Sequence, residues 1–160
     1  MGCDIHICLE KKVNGAWIPV KIRNPFFENE PSRPYSYQVL KGDRDYKLFN
    51  IISFNQCRVD RSQLNFVWNE RGFNNSDVSQ ELVDYLTNDS DLHTHSWLTL
   101  QELKEAIDDP HEIRSVYEIN NIDRKDCTLV TFYESMVEQI SHLLPGTDPM
   151  DCKIVFAYDN

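Results

Sequence analysis

The stretch MGCDIHICLEKKVNGAWIPVKI, residues 1–22, decides the fold because it carries a complete β-hairpin signal. Asn14 and Gly15 stand between two apolar runs, and both residue types tolerate the positive φ angles of a type I′ turn. We therefore predict that residues 3–11 and 16–22 pair as antiparallel strands.

The first of these strands has two chemically different faces, because side chains alternate along an extended chain. The apolar face consists of Cys3, Ile5, Ile7 and Leu9. The polar face consists of Asp4, His6, Cys8 and Glu10. One face is suited to a core. The other places Asp4 and His6 side by side, where they are candidates for metal binding or catalysis; the alternative is a capping aspartate and a core histidine.

Bulk composition indicates one soluble domain over residues 1–160, with 41% hydrophobic residues. No apolar run approaches the roughly 18 residues of a membrane helix, and the first residues lack a secretory pattern, so we expect the cytoplasm, and the host cytoplasm if a phage encodes the chain. The five cysteines form no CxxC pair and are expected to be free thiols. A net charge of −10 disfavours nucleic acid as a partner.

Downstream patterns predict helices over 44–55, 77–87 and 126–143, and a further helix that begins at a capping box. In that box Thr99 is the N-cap and Glu102 lies three residues later. A weak strand is expected near 112–119. The proline-rich and aromatic segment 24–42 is predicted to be an ordered surface excursion that could serve as a lid.

The C-terminal segment CKIVFAYDN, residues 152–160, is continuously apolar over most of its length, which is typical of a central strand. The predicted fold is therefore α+β: a small, mainly antiparallel sheet that includes the N-terminal hairpin and the C-terminal strand, covered by helices.

A second polar concentration is DLHTHSW, residues 91–97. In an extended segment His93 and His95 project to the same side and could converge on one ion. With Asp4 and His6 they offer nitrogen and oxygen ligands for a divalent metal such as Zn²⁺, Mn²⁺ or Mg²⁺. The alternative is that both histidines are loop residues before the helix at Thr99.

Two arginines and one further carboxylate could complete a phosphate site. Arg44 precedes the first helix and Arg71 lies in the turn NERGFNN, and both could hold a phosphate. Asp159 lies near Asp4 if the first and last strands are neighbours, which makes it a further carboxylate for a metal ion or a candidate catalytic base. Otherwise it is a solvated terminal acid.

The blocks MGCDIH, RDYKLF, RG, HTHSWLT and IVFAYDN, in this order, resemble a family of small phage and bacterial proteins that begin MGCDIH. The resemblance points to Asp4, His6, Arg44, Arg71, His93, Ser96 and Trp97, and we take Ser96 as a further ligand-binding candidate. It implies a soluble phage-type protein rather than a named reaction. The family pattern has Arg-Gly-Leu-Pro where this chain has RGFN, and its second histidine is replaceable, which favours His93 over His95.

The expected function is a metal-dependent hydrolase of a phosphate ester or nucleotide-like small molecule, with an accessory or anti-defence role if the chain is phage-encoded. The alternative is a protein without catalysis that sequesters a nucleotide signal or blocks a host protein. The expected partner is a small phosphate or nucleotide ligand, with no membrane involved. The sequence leaves assembly into a homo-oligomer open.

Overall fold

A computed structural model of the chain describes residues 2–23, 34–53, 68–73, 77–109 and 128–159. The elements in chain order are β1 (Ile5–Val13), β2 (Ala16–Pro19), β3 (Ile22–Arg23), β4 (Tyr35–Ser36), β5 (Leu40–Lys41), α1 (Tyr46–Ser53), α2 (Gln80–Thr87), β6 (His93–Thr99), α3 (Leu100–Asp108), α4 (Thr128–Leu143), a short 3-10 helix (Pro149–Asp151) and β7 (Cys152–Tyr158).

The two ends of the chain form the centre of an antiparallel sheet. Strands β1 and β7 pair from Ile5 opposite Tyr158 to Lys11 opposite Cys152. Strand β6 lies on the other side of β7, while β2 and β5 pair with different halves of β1. All residues of β7 are buried, which confirms the prediction of a central strand. The α+β prediction is confirmed as well.

The hairpin forms as predicted, because its turn has the required backbone geometry. Asn14 and Gly15 adopt φ angles of 50° and 82°, so both lie in the left-handed region that a type I′ turn demands. The strands pair from Glu10 opposite Pro19 to Val13 opposite Ala16. Strand β1 therefore has β2 beside its second half and β5 beside His6 and Ile7.

Each face of the sheet packs against helices, and the alternation along β1 decides which residues enter which core. Ile5, Ile7 and Leu9 join the larger core, to which α1, α3 and α4 contribute their buried residues. Cys8 joins a smaller core on the opposite face, formed with β7 and α2. Asp4, His6 and Glu10 belong to the same side of β1 as Cys8. The face of the sheet that packs against the smaller core therefore carries the polar side chains of β1.

Each predicted helix has a counterpart among the described residues. The capping box at the start of α3 is formed: the Thr99 side chain accepts the Glu102 N–H, and the Glu102 side chain accepts the Thr99 N–H. Strand β6 was not predicted as part of the sheet, because its residues are too polar to resemble a core strand. The expected strand at 112–119 and the first part of the excursion, residues 24–33, lie outside the described residues. No helix in the described part is long and apolar enough to cross a membrane.

Candidate functional site

Two aspartates face each other where the central strands end. Asp4 precedes β1 and Asp159 follows β7, so the pairing of Ile5 with Tyr158 brings them together. The Asp159 N–H donates to the Asp4 carbonyl oxygen at 3.1 Å. The Asp4 N–H donates to Asp159 Oδ1 at 2.8 Å. The predicted proximity of Asp159 to Asp4 is confirmed, while a catalytic role for Asp159 stays a prediction.

His6 lies against this pair and is held on two sides. Its Nε2 is 2.9 Å from Asp159 Oδ2, and the ring also hydrogen-bonds with the side chain of Gln38. Burial lowers the pKa of His6, but the hydrogen bonds to Asp159 and Gln38 outweigh burial and raise the pKa above its ordinary value of 6.5. His6 therefore keeps its second proton to a higher pH than a solvated histidine does.

Asp159 is the counterpart of this histidine. Partial burial raises its pKa, but the hydrogen bond from His6 and the one from the Asp4 N–H together lower it below the ordinary value of 3.8. The side chains of His6 and Asp159 are 25% and 32% exposed, so the ion pair is reachable from solvent without being fully hydrated. A half-exposed His–Asp pair of this kind can transfer a proton to a bound molecule.

Arg44 belongs to the site, as predicted, but its guanidinium pairs with Asp4. Arg44 Nε lies 2.7 Å from Asp4 Oδ1, and Nη2 lies 2.8 Å from Oδ2. The hydrogen bond from Arg44 is the main cause of the lowered pKa of Asp4. Gly2 makes room for this arrangement, because a Cβ at Gly2 would lie 1.7 Å from Arg44 Nη1. Arg44 thus fixes Asp4, and the backbone N–H of Asp4 in turn fixes Asp159.

A cavity of about 290 Å³ begins at the His6 ring. Its other lining residues come from the segment before β5 and from the C-terminal end of α2 with the turn after it: Gln38, Tyr85, Leu86, Asn88, Asp89 and Leu92. The volume is at the lower end of the range for small-molecule sites, and the lining combines apolar walls with a few polar groups, as such sites do. His6 is thus the ionisable group that joins the cavity to the aspartate pair.

The expectation that His93 and His95 project to the same side is wrong, because β6 contains a bulge between them. His93 pairs with Tyr158 and Ser96 pairs with Phe156, so β6 contains one extra residue relative to β7 between these two pairs. Thr94 adopts a φ of 52°, an uncommon angle for a β-branched residue.

The bulge sends the two histidines to opposite faces of the sheet. The His93 ring lies beside Tyr158, on the side of the larger core, with the ring centroids 6.3 Å apart. The His95 ring lies 4.9 Å from that of Phe73, and its Nε2 is 3.4 Å from the carbonyl oxygen of Leu86. His95, rather than the favoured His93, therefore shares the face of His6.

Arg71 and Ser96 make their contacts at the middle of β6 and the start of α3, and none of these contacts is with the aspartate pair. The Arg71 N–H donates to Ser96 Oγ at 3.1 Å, and its guanidinium binds Glu102 at 2.6 and 3.2 Å. The same guanidinium stacks over the Trp97 ring at 4.3 Å. Arg71 and Arg44 thus do not form one phosphate site: Arg71 holds the loop 68–73 against β6 and the start of α3.

The metal prediction stays a prediction. Within the described ranges, no group of three or more His, Cys, Asp or Glu side chains is arranged to hold an ion. The Asp4 carboxylate is held by Arg44, and His6 is hydrogen-bonded to Asp159 and Gln38. These hydrogen bonds would have to be displaced for Asp4 and His6 to bind a divalent ion.

A buried ion pair on the same face of β1 was not predicted from the sequence. Glu10 and Lys153 are 0% and 1% exposed, and Glu10 Oε2 lies 2.7 Å from Lys153 Nζ. Glu10 Oε1 accepts the N–H of Ser79, the N-cap residue of α2, at 2.7 Å. The sequence feature that could have indicated this pair is that each residue occurs inside an otherwise apolar run typical of a core strand.

Comparisons with protein-family models, with curated proteins and with solved structures find no significant match to this chain. The resemblance to the phage and bacterial family beginning MGCDIH therefore stays a prediction, and the geometry of the site is the basis for assigning a function.

Proposed function

We propose that the chain is a small-molecule hydrolase in which the His6–Asp159 pair transfers protons during hydrolysis of a phosphate ester or nucleotide-like molecule. The observation that carries this proposal is the position of the His6 ring, which lines the cavity while Asp159 holds its Nε2. A histidine fixed by a carboxylate on one nitrogen can exchange a proton with a ligand through the other. A ligand in the cavity would reach that nitrogen by displacing the Gln38 side chain, which also hydrogen-bonds the ring and lines the cavity.

Three contacts support a preorganised pair. Asp159 is fixed by the backbone N–H of Asp4, and the Asp4 side chain is in turn fixed by the two hydrogen bonds from Arg44. These contacts hold the carboxylate in one orientation before a ligand arrives. Such rigidity reduces the reorganisation needed in the transition state. The raised pKa of His6 keeps a larger fraction of the imidazole protonated at neutral pH, so more of the protein carries the proton that a leaving oxygen would take.

The experiment is a phosphate-release assay with a panel of nucleotides and simple phosphate esters. Each substrate is tested with EDTA and, separately, with added Zn²⁺, Mn²⁺ and Mg²⁺, so that a metal requirement is measured directly. His6→Gln and Asp159→Asn should each lower turnover about 100-fold or more, since that is the lower range for loss of general acid–base catalysis. His142→Gln, on an exposed part of α4, is the matched control and should retain full activity.

Turnover that is unchanged in His6→Gln contradicts the proposed role of the pair. Turnover that appears only with one metal and survives in Asp159→Asn favours the metal-dependent mechanism expected from the sequence. No turnover with any substrate in any of these conditions contradicts the hydrolase proposal as a whole.

A second candidate, a binding protein without catalysis, is favoured by one specific observation. Each basic side chain of the site already has a carboxylate partner, Arg44 with Asp4 and His6 with Asp159. Such a site has less positive charge to stabilise a transition state than a phosphate hydrolase usually provides. One experiment separates the binding protein from the hydrolase. A nucleotide that binds is incubated with the protein, the protein is denatured by heat, and the nucleotide is analysed by chromatography. Intact ligand indicates sequestration, and a hydrolysed product indicates catalysis.

A further inference from the structure

The exposed large hydrophobic side chains of the described residues are confined to strands β1 to β4. They are Val13, Ile18, Ile22 and Tyr35, which are 37%, 43%, 44% and 43% exposed. Single exposed apolar residues are ordinary on a protein surface, but their restriction to one region is informative. Three of the four are aliphatic, and they follow one another closely along the chain.

The same region concentrates positive charge on an acidic protein. Residues 11–23 contain Lys11, Lys12, Lys21 and Arg23 and no Asp or Glu, whereas the whole chain has 16 basic and 26 acidic residues. Lys21 Nζ lies 3.7 Å from a Glu81 carboxylate oxygen, and both of these side chains are about half exposed. We call Lys11, Lys12, Val13, Ile18, Lys21 and Ile22 the basic hairpin surface.

The register of the hairpin sorts these side chains onto two faces. Lys11 lies opposite Ile18 and Val13 opposite Ala16, so these residues share one face. Lys12 lies opposite Trp17 on the other face, with its Nζ 5.7 Å from the centre of the indole ring. One face of the hairpin is therefore largely apolar and the other offers a lysine beside an aromatic ring.

Strand β2 forms an edge of the sheet. It pairs with β1 on one side, and no strand in the described part of the chain pairs with its other side. An edge strand offers backbone N–H and C=O groups to an added strand, which is a common mode of peptide recognition. A second copy of this chain is disfavoured as the occupant, because edge-to-edge pairing would bring the lysines of two hairpins together.

We propose that the basic hairpin surface binds an acidic protein segment in extended conformation, which adds a strand to β2. The segment would alternate aliphatic and acidic residues: the aliphatic ones would cover Ile18 and Val13, and the carboxylates would face Lys12 and Lys21. The net charge of −10 opposes both a nucleic acid and an anionic membrane as the occupant. This surface is separate from the His6 cavity, and peptide binding there does not depend on the proposed hydrolase activity.

The test uses a fluorescein-labelled peptide of eight alternating valine and glutamate residues, with binding followed by fluorescence anisotropy at low and physiological salt. Saturable binding that weakens with salt is expected. The double variant Lys12→Glu/Lys21→Glu should weaken it about tenfold or more, since it removes two attractive charges and puts two repulsive ones in their place. Hydrogen exchange of residues 16–18 should slow when the peptide binds; Pro19, the last residue of β2, has no amide hydrogen.

Lys104→Glu is the control, because it makes one such charge reversal, half the change of the double variant, at an exposed position on α3 and should leave binding unchanged apart from a small long-range effect. Ile18→Ser tests the apolar contribution and should weaken binding several-fold; Ile22→Ser replaces it if that variant fails to fold. The proposal is overturned if the peptide does not bind saturably or if Lys104→Glu weakens binding as much as the double variant. Tighter binding of phosphatidylserine vesicles or duplex DNA to the same surface also overturns it.

Discussion

Replacing Lys153 with methionine should destabilise the protein strongly, because it leaves the Glu10 carboxylate buried without its cation. The two side chains are almost fully buried and 2.7 Å apart. Lys153 Nζ also donates to the backbone carbonyl of Asp77 and lies 4.6 Å from the ring of Trp17 and 5.1 Å from that of Trp97. A methionine side chain can fill much of the space but can replace neither the charge nor the hydrogen bond.

The expected loss is about 3–5 kcal/mol, the usual cost of removing one partner of a buried ion pair. The double variant Glu10→Leu/Lys153→Met removes both charges and should recover part of that loss, since an apolar pair often matches a buried ion pair in stability. Recovery is incomplete because the Ser79 N–H loses its acceptor on Glu10, which costs about 1–3 kcal/mol.

Urea unfolding at pH 7, followed by circular dichroism, measures these differences for the wild type, the two single variants and the double variant. The coupling free energy from the cycle should be about 2 kcal/mol or more. Two results would refute the reasoning: a loss below about 1 kcal/mol in Lys153→Met, or a double variant whose loss equals the sum of the two single losses.

Three further predictions concern the site and the fold. NMR titration of His6 should give a midpoint above 6.5, and this midpoint should fall in Asp159→Asn. The stability that the raised pKa contributes is present below pH 6.5 and is lost as the pH rises through the pKa of the folded protein. A midpoint that is below 6.5 in the wild type, or that does not move in the variant, contradicts the pairing of His6 with Asp159. Ile7→Ala should lower the free energy of unfolding by about 2–5 kcal/mol because Ile7 is fully buried, whereas Ile18→Ala at an exposed position should lower it far less. Similar losses for the two variants in thermal or urea unfolding would argue against the assigned core. Thr99→Ala should cost about 1 kcal/mol through loss of the capping box at α3, and an unchanged urea midpoint would contradict that role.

The parts of the fold that could be predicted from sequence are those with strong local signals. Asn14-Gly15 predicts a type I′ turn because few other residue pairs tolerate two successive positive φ angles, and the capping box at Thr99 predicts a helix start. The continuous apolar run of β7 predicts burial on both faces. Strand β6 has no such signal, because its place in the sheet comes from pairing with β7 rather than from its own composition.

The candidate site was predictable only where strand alternation and strand pairing suffice. Asp4 and His6 on one face and Asp159 beside them follow from those two rules. The fates of His93 and His95 do not, because a single extra residue at Thr94 reverses the face of the residues after it and no local pattern marks the bulge. The partners of Arg44 and Arg71 also depend on long-range packing, which brings Asp4 to one and Glu102 to the other.

The two acid–base pairs on one face of β1 differ in burial, and this difference is why the proposed function is assigned to one of them. Glu10 with Lys153 is closed to solvent, touches two tryptophans and supports the start of α2, so its polar atoms are used within the fold. His6 with Asp159 has the same kind of charge complementarity, but it is partly exposed and lines a cavity. A ligand can compete for the hydrogen bonds of the second pair and cannot reach those of the first. Chemistry on this strand is therefore expected at His6, and removal of Glu10 or Lys153 should change stability before it changes the site.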